Sequence, residues 1–145
     1  MPPEPLGLDV ELTVNEVFHS IQGESTHAGR PCLFVRLTGC PLRCVWCDTE
    51  YAFHEGRRMT VREVLAGLAE RDCRLVEVTG GEPLAQSGAI PLLDALLAAG
   101  YEVLLETSGA LPLDRVPAAV KKIVDVKCPG SGESHRNRAD VLEHL

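Results

Sequence analysis

The feature that most constrains this chain is a repeated junction. Four times an apolar, β-rich run ends in a turn of glycine or small polar residues: CLFVRLTG (32–39), LVEVTGGEP (75–83), YEVLLETSG (101–109) and KKIVDVKCPG (121–130). An earlier alternating stretch, LTVNEVFHSI (12–21), reads as a further strand, and QGESTHAGRP (22–31) as a loop. A helix is expected over 60–71, with Val61, Val64, Leu65 and Leu68 on one face and Thr60 and Glu63 at the spacing of a capping box. A second helix is expected over 88–99, with Ile90, Leu93, Leu96 and Leu97 inward and Gly100 as its stop. Strands alternating with helices predict an α/β fold with a mostly parallel sheet and right-handed crossovers. In such folds ligands bind at the C-terminal ends of the strands, so the four turns point at one mouth. There is no internal repeat. One domain is expected over 1–145, with an irregular Pro-rich lead-in over about 1–11 and a polar tail that ends in the start of a helix.

The chain is acidic: 14 basic against 21 acidic residues, a formal charge of -7. That balance speaks against a phosphate-backbone binder, so no nucleic-acid partner is expected. No apolar run approaches the ~20 residues of a membrane span. MPPEPLGLDVEL at the start lacks the basic and apolar segments of a signal peptide. The expected location is the cytoplasm, where clustered cysteines point to metal or redox chemistry rather than disulfides.

Three of the six cysteines fall in LTGCPLRCVWCDTEY (37–51) with the spacing C-x3-C-x2-C: Cys40, Cys44 and Cys47. A closed structural zinc site takes four ligands. One reading is therefore zinc with a distant fourth ligand such as Cys73, Cys128 or a histidine. The other is a 4Fe-4S cluster in which three thiolates hold three irons and the fourth stays open. Cys32 and Cys73 read as small buried residues. Cys128 has no assigned role. His19 and His27 read as loop or surface residues, and Lys121 and Lys122 as solvated charges.

The cysteine loop after one strand and TGGEP after the next resemble the radical S-adenosylmethionine (SAM) superfamily. FHSIQGEST (18–26), GRPCLFVRLTGCPLRCVWCDT (29–49), TGGEP (79–83), ETSG (106–109) and DVKCPGSG (125–132) are together similar to its 7-carboxy-7-deazaguanine synthase family, over about residues 14–135. The resemblance implies a partial TIM-like barrel. It implies conversion of 6-carboxy-5,6,7,8-tetrahydropterin to 7-carboxy-7-deazaguanine with loss of ammonia, started by reductive cleavage of SAM. It implies that Cys40, Cys44 and Cys47 hold a 4Fe-4S cluster whose open iron binds SAM, and that Thr49 ligates Mg2+. For SAM it implies Trp46, Gly80, Gly81, Glu106, Ser108, Asp125, Val126 and Lys127, and for the pterin Ile21, Gln22, Gly23, Arg36 and Thr79. No side chain is assigned a catalytic role beyond these. The implied partners are the pterin, an electron donor such as flavodoxin, and a second copy in a homodimer.

Ser25 stands where the family usually carries glycine. Family members also continue for several tens of residues past DVKCPG, so the expectation is a shortened member that lacks the last strands of the barrel and exposes a sheet edge. Two other functions remain: an activase of glycyl-radical enzymes, which shares the cysteine spacing, and a non-catalytic metal-binding module.

Overall fold

The computed structural model describes residues 7–145. The first six residues of the expected lead-in lie outside the described residues. Six strands form one open sheet: β1 (Glu11–Ile21), β2 (Pro31–Leu37), β3 (Arg57–Thr60), β4 (Leu75–Gly80), β5 (Glu102–Thr107) and β6 (Lys121–Val124), in the order β3-β1-β2-β4-β5-β6. β2, β4, β5 and β6 run parallel to one another, while β1 pairs antiparallel with both β2 and β3. The sheet is mostly parallel, as the alternation of elements predicts. This α/β architecture is the one anticipated, with a strand added at the β1 edge.

That strand, β3, was not expected. RRMT is short and carries two exposed arginines, so it has no alternating signal, and only pairing with Glu11–Val14 makes it a strand. β6 also differs from expectation. It ends at Val124, and Asp125 makes the last bond toward β5, N–H to the Thr107 carbonyl at 2.9 Å. Lys127 then turns out of the sheet because the Asn137 side chain takes both its N–H and its carbonyl (2.9 and 2.8 Å), and Pro129 has no N–H to give a ladder.

Two helices cover one face. α1 (Val61–Ala69) starts with the expected capping box: Thr60 Oγ1 accepts from the Glu63 N–H, and the Glu63 carboxylate accepts from the Thr60 N–H. α2 (Ala89–Ala98) ends at Gly100, whose φ of +86° lets its N–H reach the Leu97 carbonyl and the Tyr101 N–H reach the Leu96 carbonyl. The buried face of α2 is Ala89, Leu92, Leu93, Ala95 and Leu96, with Ile90 and Leu97 only half-buried. That rotates the expected face, because AIPLLDALLA is apolar almost all round and its period does not set an orientation. A one-turn helix, α3 (Ala139–Leu142), closes the tail.

Strand phase separates core from site. Leu33, Val35 and Leu37 of β2, Val76 and Val78 of β4, and Val103 and Leu105 of β5 pack in the core with both helices. The alternate residues Phe34, Arg36, Glu77, Thr79 and Glu106 face the other way and line a cavity.

Candidate functional site

The cysteine loop leaves β2 at Gly39, whose φ of +98° turns the chain sharply. The Gly39 N–H donates to the Ala52 carbonyl (2.7 Å), and its own carbonyl accepts from the Glu82 N–H (2.8 Å). The cysteine loop is thus tied to the TGGEP turn. The contact leaves no room for a side chain: a Cβ on Gly81 would lie 2.1 Å from the Gly39 carbonyl oxygen, and one on Gly80 would lie 2.6 Å from that of Leu37. Glu82 is fully buried and locks this turn to the next one. Its carboxylate accepts from Thr107 Oγ1 (2.7 Å), Ser108 N–H (2.8 Å), Ser108 Oγ (2.9 Å) and Leu84 N–H (2.9 Å).

The turns enclose a cavity of about 590 Å³ whose lining includes Cys40, Cys44 and Cys47. That volume suits small molecules. Every residue singled out for cluster, Mg2+, SAM or pterin lines it except Val126, which lies 43% exposed outside it. The chain leaves the sheet after Val124, which carries Asp125 and Lys127 toward the cavity and the Val126 side chain away. Among the described residues, no group of three or more His, Cys, Asp or Glu is gathered closely enough to hold a single metal ion. Three thiols spread over one loop suit a cubane that takes one per iron. Burial pushes the Cys40 thiol up, so charge on the bound group is needed to hold it as thiolate. Thr49 lies on the wall with its hydroxyl 3.8 Å from the Cys47 sulfur, next to Asp48, an oxygen donor not singled out from the sequence.

The lining also carries a set of polar side chains. Gln22 is buried and donates to Glu77 (2.7 Å), and Thr79 Oγ1 reaches Glu106 at 3.5 Å. Burial, with Glu24 and Glu77 beside it, pushes the Glu106 carboxyl up to about 9, and burial also raises Glu77. Burial of both carboxyls favours a proton held by the Glu77–Glu106 pair, and a protonated acid offers an O–H where an ionised one only accepts. Arg36 stands on the same face, Nε to Glu16 at 2.8 Å and Nη1 to the Gly80 carbonyl at 3.3 Å. Its guanidinium lies over the rings of Phe18 and Tyr51, at 5.8 and 5.7 Å, and Phe18 stacks on Phe34 at 4.9 Å. Ile21 and Trp46 stand at the rim, 64% and 59% exposed. Lys127 bonds Asp125 on the wall.

A Radical SAM superfamily profile matches residues 34–129, from β2 through the cysteine loop to the segment after β6. The chain belongs to the radical SAM superfamily. Within it, the chain is 51% identical to the 7-carboxy-7-deazaguanine synthase of Koribacter versatilis, over 92% of this chain and 60% of that protein. It is 49% identical to the synthase of the same name from Chlorobaculum tepidum, over 92% of this chain and 61% of that protein. The chain thus spans about three fifths of the length of these curated relatives. Its fold matches a crystal structure of QueE from Escherichia coli with a TM-score of 0.83 and 26% identity, covering all of this chain and 74% of that one.

Radical SAM membership accounts for the cysteine loop. Sequence reasoning missed Glu77 and Glu82, and gave Glu24 no role within IQGE. Glu77 sits in the apolar run LVEVTGG, where a lone acid facing away from the core was a usable signal. Ser108 lines the cavity, but its hydroxyl is engaged with Glu82. Cys73 is half-buried rather than buried, since the loop before β4 leaves it open to solvent, while Cys32 is fully buried. Cys128 is exposed and does not line the cavity. Lys121 is exposed yet paired with Glu102 at 2.7 Å. Among the described residues no helix is long and apolar enough to cross a membrane.

Proposed function

We propose that this chain provides the cluster, SAM and pterin sites of a 7-carboxy-7-deazaguanine synthase. The reaction is conversion of 6-carboxy-5,6,7,8-tetrahydropterin to 7-carboxy-7-deazaguanine with loss of ammonia. The observation that carries this reading is that one cavity brings together three thiols, an arginine and a carboxyl pair. The thiols are the soft donors an iron–sulfur cluster takes, and bare Gly80 and Gly81 backbone lies beside them for close approach of SAM. Cluster and SAM together would supply one-electron cleavage of the sulfonium and hydrogen abstraction from the substrate.

The chain's own residues bind and orient. Arg36 offers its guanidinium to the pterin carboxylate, held in place by Glu16 and by two aromatic faces. Gln22 and Glu77 present a donor and an acceptor to the polar edge of a bicyclic heterocycle, and Glu106, expected from the resemblance to serve SAM, stands beside Glu77 and is assigned here to that same edge. Thr79 and the Ile21–Gly23 segment flank it. Trp46, Ser108, Asp125 and Lys127, which line the same cavity, serve SAM. Thr49, with Asp48, is the oxygen site for Mg2+. A flavodoxin-like donor supplies the electron, and the working protein is a cytoplasmic homodimer.

The test is an anaerobic assay of the reconstituted chain with SAM, reductant and Mg2+, with and without the pterin, followed by mass spectrometry. Formation of 5'-deoxyadenosine and of the deazaguanine acid, both dependent on the pterin, is the expected result. Arg36→Ala should weaken pterin use roughly 10- to 100-fold, the loss of one charge-assisted pair. Wild-type rates in that variant would refute the assignment of Arg36.

A further inference from the structure

The segment after β6 returns across the cysteine loop and ties it down at several points. The Glu133 Oε1 accepts from the Arg43 N–H at 3.1 Å, and the Ser131 carbonyl accepts from the Val45 N–H at 3.0 Å. The Cys47 N–H donates to the Cys44 carbonyl at 3.2 Å. Three N–H groups of the loop between Cys40 and Cys47 are therefore bound to oxygen. The Arg43 guanidinium folds back onto the carbonyls of Cys40 and Leu42 and stacks on Phe53 at 3.9 Å. The strap itself is built to hold. Ser131 is fully buried, with its hydroxyl donating to the Cys128 carbonyl (2.7 Å) and accepting from the Glu133 N–H (3.1 Å). The Glu133 side chain is only 15% exposed, with His135 3.9 Å away at the surface. Gly130 lies under the indole of Trp46, where a Cβ would come within 2.9 Å of the ring.

We propose that Glu133 is a positioning residue for the cysteine loop and keeps the potential of the cluster bound there low. The inference rests on the cluster assignment made above. Breaking a sulfonium by one-electron transfer needs a strongly reducing cluster. Hydrogen bonds to cluster sulfurs and nearby positive charge stabilise the more negative, reduced state and raise the potential. Glu133 acts against both. It engages the Arg43 N–H, which is then not free to turn toward a sulfur, and it adds a negative charge beside the loop, opposite in sign to Lys127 on the cavity wall. By holding the loop on the strap it also keeps Trp46 seated on Gly130.

Glu133→Ala and Glu133→Gln separate the two effects. The glutamine keeps an acceptor for the Arg43 N–H and loses the charge, whereas the alanine loses both. Each variant is reconstituted anaerobically. Iron is counted, the midpoint potential is read by EPR-monitored titration, and the emission of Trp46, the single tryptophan of the chain, is recorded. The expected result is a shift to more positive potential in the alanine variant, a smaller shift in the glutamine variant, and an emission change in the alanine variant alone. An alanine variant that loses its cluster while the glutamine variant keeps it also supports the positioning role. An alanine variant with wild-type potential and emission overturns it. A glutamine variant that fails as the alanine does also overturns it. If the wild-type chain itself gives no cubane signal, the underlying cluster assignment is what fails, and the two failures are told apart by that control.

Discussion

Glu106 is the residue whose chemistry departs furthest from its exposed form. Its carboxyl is pushed up to about 9 by burial and by Glu24 and Glu77. Between its usual 4.5 and about 9 the folded state holds a proton that the unfolded chain has released, so rising pH costs stability across that window and no further above it. Glu106→Gln mimics the neutral acid. Urea titrations at pH 5, 7 and 9 should therefore show the variant gaining on wild type as pH rises, and a constant difference would contradict the protonated state. Gly81 gives a second test. An added Cβ would lie 2.1 Å from the Gly39 carbonyl oxygen, backbone that cannot swing aside. Gly81→Ala should cost about 1–3 kcal/mol by overpacking and should lower iron uptake, because the displaced atoms carry the cysteine loop. Both residues were visible as chemistry in ETSG and TGG. Their reasons were not, because neither the carboxyl neighbours of Glu106 nor the Gly39 contact is adjacent in sequence. Ser25 was legible as a departure: its φ of +64° is the left-handed geometry that favours glycine.

Elements were read most easily where local signals agree. The α1 helix starts at its capping box as anticipated, and Thr60→Ala should cost about 1 kcal/mol, seen as a lower urea midpoint without loss of the cysteine-loop geometry. An unchanged midpoint would mean that the packing of Val61, Val64 and Leu68 alone sets the start of α1. α2 was found but turned, since an almost uniformly apolar helix has no stripe to read. β3 was missed because its pairing is decided by β1, tens of residues away. In β1 itself a register shift between Val14 and Glu16 leaves Asn15 free to bond the Glu55 carbonyl at 2.8 Å, anchoring the chain that follows the cysteines. In the parallel strands, alternation carried more information than their apolar character. The phase that puts Val76 and Val78 inside puts Glu77 and Thr79 on the cavity.

For the molecule as a whole, two carboxylates shape the response to pH in opposite directions. Glu102 joins Arg30, Lys121 and His27 at the edge of β5, and hydrogen bonds from Arg30 and Lys121 hold its carboxyl down to about 2. Its contribution is present above the usual 4.5 and is lost as pH falls from there toward about 2. Glu102→Gln should flatten that acid limb in thermal unfolding, leaving the loss at high pH that Glu106 causes. An acid limb as steep as wild type would assign it elsewhere. The fold of the described chain is an open sheet with both helices on one face and all the polar chemistry on the other. It is that division, more than any single motif, that makes one cavity from turns spread between residues 21 and 127.

The most direct measurement is EPR of the anaerobically reconstituted, reduced chain with and without SAM. The structure predicts about four irons per chain, a cubane signal that changes on adding SAM, and loss of both in Cys44→Ala. One zinc per chain, or a cluster signal indifferent to SAM, would contradict it.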